Sequence, residues 1–142
     1  MIYHGSAYLT DILKPGFEHT KTLKEWDHTE NNTWLYASQD KDEASLNALA
    51  SILEENFHTN RVSFNSEQIR IYSTHTITEN EVRKLTVFLY TIYNTETFIP
   101  VNNNYNESIT EYKTKESIIP SSVVIVHDPM GNREVSFILV PP

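Results

Sequence analysis

Tyr3-His4-Gly5-Ser6 offers the most directed chemistry in the chain. An imidazole can hydrogen-bond through either ring nitrogen, and a following glycine lets the backbone approach a flat ligand closely. The same tetrapeptide also fits a strand ending in a turn, so the rest of the chain has to decide between the two readings. Other familiar centres are absent from the sequence. With no cysteine, disulfides, thiolate zinc sites and cysteine nucleophiles are excluded. The six histidines are scattered without a His-x-x-x-His pair, so no metal site is expected. Three glycines supply neither a Gly-x-Gly-x-x-Gly fingerprint nor a phosphate loop, and there is no Gly-x-Ser-x-Gly elbow. Carboxylates are plentiful, but no pair for glycoside chemistry stands out, and acids such as Glu54 and Glu55 fit a solvated helix face.

Composition bounds the remaining classes. A chain of 142 residues is expected to form one domain, 1–142, around a single core. Hydrophobic residues at 39% and charged residues at 21% mark a folding chain rather than a disordered one. Tyrosine is the favoured aromatic with eight copies, which suits surfaces that stack on flat ligands and hydrogen-bond at their edges. The net charge of −8 argues against a broad basic nucleic-acid surface while leaving room for a nucleotide. No run reaches membrane-spanning length and no signal-peptide pattern opens the sequence, so the expectation is a cytoplasmic protein without a membrane partner.

The elements that must position the tetrapeptide follow from periodicity and punctuation. A strand is expected from Met1 to His4, and a helical turn over Tyr8 to Leu13, stopped by Lys14-Pro15-Gly16. Residues 17–33 read as a long polar loop. Trp34 to Ser38 reads as a strand. Asp40 caps a helix, with Glu43 placed to close a capping box and Ala44, Ala48 and Ile52 forming an apolar row that fades near Asn56. Strands are expected at Arg61 to Asn65 and Gln68 to Ser73. Thr78 and Glu81 open a second helix with Val82, Leu85, Leu89 and Ile92 on one face, although Val87 to Tyr90 also suits a strand. After a polar loop at Asn102 to Asn106, strands are expected at Ile109 to Thr114, Ser122 to His127 and Val135 to Val140. Met130-Gly131-Asn132 is placed for a hairpin turn before the last of these. Mixed order without βαβ alternation indicates α+β.

Three separated stretches resemble the ADP-ribosyltransferase superfamily of the diphtheria-toxin and poly(ADP-ribose) polymerase type, known for a His-Tyr-Glu signature. Tyr3-His4-Gly5-Ser6, with Ile12-Leu13-Lys14-Pro15-Gly16-Phe17 after it, resembles the aromatic-His-Gly-Ser/Thr segment and its following turn. Trp34-Leu35-Tyr36-Ala37-Ser38, running into a helix that contains Ala44, resembles the aromatic strand and helix. Glu111-Tyr112, followed by Ile118-Ile119-Pro120 and Val123-Val124-Ile125-Val126, resembles the late strand that carries the catalytic glutamate. The pieces frame nearly the whole chain. Asn31-Asn32-Thr33 stands where the family often has a glycine.

The resemblance implies an ADP-ribosyltransferase-like fold with an antiparallel or mixed split β-sheet core and two main helices. It implies NAD as substrate, no metal, and Glu111 as the catalytic carboxylate. A carboxylate suits that bond cleavage because positive charge develops on the ribose as nicotinamide leaves. His4 would hydrogen-bond a ribose hydroxyl, Gly5 would present backbone groups to the nicotinamide amide, and Ser6 would add a ribose contact. Tyr36 would stack on the nicotinamide ring, with Phe17 or Trp26 as the second aromatic. Phosphates would meet basic residues such as Lys14, Arg61 or Arg70. The acceptor, whether protein, nucleic acid or small molecule, would be selected by loops 17–33 and 102–107. Ile109 stands two residues before Glu111, so the Glu-x-Glu pattern of arginine-modifying members is absent, and mono-ADP-ribosylation is expected over polymer synthesis. The alternatives are an NAD glycohydrolase, a catalytically inactive NAD- or ADP-ribose-binding module, a protein-interaction module of the same fold, and an RNA 2'-phosphotransferase, against which the acidic charge argues.

Overall fold

The computed structural model describes residues 1–16, 34–101 and 111–142. In chain order the elements are β1 (Ile2–Ser6), β2 (Leu35–Ser38), α1 (Lys41–Asn56), β3 (Arg61–Phe64), β4 (Gln68–Ser73), α2 (Glu79–Arg83), β5 (Thr86–Ile92), β6 (Ile99–Val101), β7 (Glu111–Thr114), β8 (Ser122–His127) and β9 (Glu134–Leu139). They form a six-stranded sheet of order β6-β7-β2-β1-β5-β8 and a three-stranded sheet of order β3-β4-β9. Every neighbouring pair in the larger sheet is antiparallel. In the smaller sheet β3 and β4 are antiparallel while β4 and β9 run parallel. The class is α+β. No helix among the described residues is long and apolar enough to cross a membrane.

Local chemistry explains most of the element ends. Asp40 caps α1 by accepting from the Asp42 and Glu43 amides at 2.8 and 3.1 Å. Where a capping box is expected between Asp40 and Glu43, Ser38 stands between the two. Its hydroxyl accepts from the Asp40 amide and donates to Glu43 Oε1, each at 3.0 Å. The α1 stripe buries Ala44, Ala48, Leu49, Ile52 and Leu53 as the spacing predicts. Glu54 is not a fully solvated acid. Partial burial, with Glu55 as a second cause, raises its carboxyl above the usual value. A carboxyl raised on folding contributes stability below its unfolded pKa and loses it as pH rises through the folded one. Glu54→Gln is therefore expected to stabilise the chain at neutral pH, with the gain vanishing once both states are protonated; urea denaturation at several pH values measures this.

Three local expectations give way to long-range pairing. The Thr78–Glu81 capping box forms, but α2 stops at Arg83 and residues 86–92 become β5. Its β-branched and aromatic residues suit a pleated surface, and it pairs with β1 on one side and β8 on the other. Residues 8–13 make no helical turn; Leu13 instead exchanges both backbone hydrogen bonds with Ile118, at 2.8 and 2.9 Å. Gly131 lies in a turn with φ +58°, yet the flanking strands do not pair: β8 joins β5 and β9 joins β4. That turn links the two sheets.

The larger sheet is packed on both faces. Leu46, Leu49 and Leu53 of α1 meet Ile69, Ile71, Val82, Val87 and Met130, joining the helix to both sheets. A second cluster contains Ile2, Leu13, Leu35, Ala37, Tyr90, Ile92, Phe98 and Ile118. Strand alternation places Tyr90 and Ile92 opposite to Val87, so the clusters occupy opposite faces. Tyr90 has no exposed surface, and its hydroxyl donates to the Tyr8 carbonyl at 2.7 Å and accepts from the Thr10 amide at 2.8 Å. Tyr90→Phe removes a partner from both groups and is expected to cost about 1–3 kcal/mol in denaturant unfolding.

Candidate functional site

β1, β2 and β7 lie side by side, so three segments distant in sequence share one patch of sheet. β2 and β7 are in register at four positions, with Ser38 opposite Glu111 and Tyr36 opposite Lys113. β1 and β2 share one register pair, Tyr3 opposite Ser38. Tyr3, Ser38 and Glu111 therefore form a row across three strands, and directly paired residues point to the same face. Tyr36 is two residues from Ser38 and shares that face. It is a diagonal neighbour of Glu111, at a backbone separation of about 7–8 Å by strand geometry.

One residue beyond the Tyr3–Ser38 pair, the His4 ring links the two strands. His4 Nδ1 lies 2.6 Å from the Tyr36 carbonyl oxygen. A carbonyl can only accept, so Nδ1 carries the proton and the ring is fixed in orientation. His4 is buried, and its ring centroid is 6.4 Å from that of Tyr90, its register partner on β5. Alternation directs the His4 side chain toward the Tyr90 face, while the Tyr36 and Glu111 side chains point toward the α1 face. Tyr36 joins the two, since its carbonyl holds His4 and its side chain shares a face with Glu111.

Gly5 sits where α1 crosses β1. A Cβ added there would lie 2.0 Å from the Ala44 carbonyl oxygen and 3.0 Å from the Ala48 Cβ. Ser6 is fully buried and accepts a hydrogen bond from the Tyr8 amide at 2.9 Å. Phe17 and Trp26 lie outside the described residues, as do loops 17–33 and 102–107.

Two contributors carry weaker sequence signals. Ser38 ties the end of β2 to the first turn of α1 through the Glu43 and Asp40 bonds, a role its type alone does not announce. Trp34 lies beneath two ammonium groups, with Lys113 Nζ at 4.1 Å and Lys115 Nζ at 4.9 Å from the ring centroid. Cation–π attraction favours this arrangement, and the period-two spacing of Glu111, Lys113 and Lys115 is its trace in the sequence. Lys41 Nζ similarly lies 5.3 Å from the Tyr3 ring centroid. Positive charge thus accompanies the Glu111 row. By contrast, Arg61 and Arg70 belong to the three-stranded sheet, where Arg61 stacks on Tyr72 at 5.5 Å.

A separate cavity of about 600 Å³ is lined by Asp42, Ser45, Glu67, Asp128 and Arg133 among others, and contains none of the His4, Tyr36 and Glu111 set. Among the described residues, no cluster of three or more His, Asp or Glu side chains could hold a metal ion. No protein-family model, curated protein or solved structure matches this chain.

Proposed function

We propose that the chain is an NAD-dependent mono-ADP-ribosyltransferase with an ADP-ribosyltransferase-like fold. The observation that supports this reading is that Tyr36 and Glu111, far apart in sequence, share one face of adjacent strands, with the Tyr36 carbonyl held by His4 from β1. An aromatic ring and a carboxylate on one face form a pair suited to a ribosyl-nicotinamide. In the proposed reaction the bond between ribose and the nicotinamide nitrogen breaks, and its electron pair neutralises the leaving ring. An acceptor nucleophile then bonds to the ribose carbon and loses its proton to solvent.

Glu111 supplies the negative charge that stabilises the ribose as the bond breaks, since a fixed charge outside bulk water acts strongly on developing charge. Tyr36 stacks on the nicotinamide, and His4, whose side chain is buried on the opposite face, acts on the site by holding the Tyr36 carbonyl through Nδ1 rather than by touching the ribose as its motif suggests. Gly5 backbone groups bind the nicotinamide amide, and Lys113 and Lys41 offer positive charge for the phosphates. The acceptor is a protein, a nucleic acid or a small molecule; water as acceptor would make the chain an NAD glycohydrolase. Incubation with NAD and measurement of nicotinamide release tests the reading. Release is expected, and neither release nor binding would remove it.

A second reading, a non-catalytic NAD- or ADP-ribose-binding module, draws on Gly5 and Ser6. Contact with α1 already accounts for the glycine, and Ser6 is spent on a local turn. Saturable NAD binding with no nicotinamide release would favour this module.

A further inference from the structure

Among the described residues the two sheets have four edges, and three carry features that discourage pairing with another chain. β6 is three residues long and contains Pro100. β3 begins with Arg61 and β9 with Glu134. Short strands, prolines and charges are the usual protections of a sheet edge. β8 has none of them. Its six residues, Ser-Val-Val-Ile-Val-His, hold no proline, glycine or formally charged side chain, and it ends the order of the larger sheet. Val123, Val124 and Ile125 are 39, 56 and 56% exposed.

The ladder with β5 shows which backbone groups point outward. The Asp128 amide donates to the Leu85 carbonyl, continuing the register in which Val126 faces Val87 and Val124 faces Leu89. Hydrogen-bonded positions alternate in an antiparallel ladder, so residues 124 and 126 bond inward and Val123, Ile125 and His127 present their N–H and C=O groups to the edge that no described strand covers. A second copy approaching antiparallel uses all three when the two-fold axis passes Ile125. Ile125 then faces Ile125, Val123 faces His127, and Asp128 faces Ser122. Such an interface is self-complementary. It sets no carboxylate against another, which a chain of net charge −8 requires of any surface on which two copies meet.

We propose that β8 is a homodimer interface, pairing with β8 of a second copy about a two-fold axis at Ile125 to make one continuous sheet. This stands independently of the NAD reading. The sequence holds no cysteine, so Ile125→Cys introduces a single thiol. Facing residues of a hydrogen-bonded antiparallel pair have Cα atoms about 5.5 Å apart, within disulfide reach. Under mild oxidation Ile125→Cys is expected to cross-link to a dimer, and Leu139→Cys, more exposed but on the other sheet, is not. Light scattering on the wild-type chain is expected to give a dimer mass. Ile125→Lys, which opposes two ammonium groups at the axis, is expected to give the monomer mass with an unchanged circular dichroism spectrum. A wild-type monomer across the micromolar range would overturn the proposal, as would a dimer that persists in Ile125→Lys. If instead an extended peptide of another protein occupies β8, the isolated chain is that monomer.

Discussion

Glu111→Gln is expected to lower nicotinamide release from NAD by about 10²–10³-fold, the loss typical when one fixed electrostatic stabiliser is removed from a reaction centre. The substitution keeps shape and hydrogen-bonding reach and removes the charge. Glu111 is half-buried, and its β7 ladder partner Ser38 meets it through backbone pairing that glutamine preserves. A parallel urea denaturation separates a loss in rate from a loss of folding. A single-turnover measurement of free nicotinamide reads the effect. Release unchanged by Glu111→Gln would show that the carboxylate is a solvated strand residue balanced by Lys113.

Gly5→Ala is expected to destabilise the fold by about 3 kcal/mol or more, the upper end of the range for overpacked sites. The reason is the identity of the obstructing atom. The new methyl would lie 2.0 Å from the Ala44 carbonyl oxygen, which is helix backbone and has no rotamer through which to retreat. Either α1 moves away from β1, or β1 bends at the point where His4 holds Tyr36. The first loosens the contact of Tyr3, Ala44 and Leu89, and the second displaces the His4 ring. A shift of the urea midpoint reads the cost. Wild-type stability in Gly5→Ala would contradict the close crossing of α1 over this strand.

The sequence announces features that depend on neighbours along the chain. Asp40 as a cap, the Ala44-Ala48-Ile52 stripe, the Thr78–Glu81 box and the bounds of β8 all follow from local spacing. Residues 85–92 show the limit, because Leu85, Leu89 and Ile92 satisfy helical spacing while Val87, Leu89 and their neighbours satisfy alternation. The decision belongs to β1 and β8, which pair with this segment from far away in sequence. Gly131 likewise marks a turn, but only long-range pairing sends β8 and β9 to different sheets. At the site, the residue types could be read and their connections could not. The His4 bond goes to a backbone carbonyl, which every residue carries, so nothing in the sequence marks Tyr36 as its partner. The type of Gly5 suggests a ligand contact, whereas its contact with Ala44 supplies a packing reason for a glycine there.

Titration of NAD into isotope-labelled protein, followed residue by residue through backbone amide shifts, tests most directly whether His4, Tyr36 and Glu111 belong to one NAD site. The expected result is a saturable set of shifts at Gly5, at Tyr36 to Ser38 and at Glu111 to Lys113, three segments joined only by the β1-β2-β7 arrangement. Shifts confined to the cavity around Asp128 and Arg133, or none at all, would contradict it.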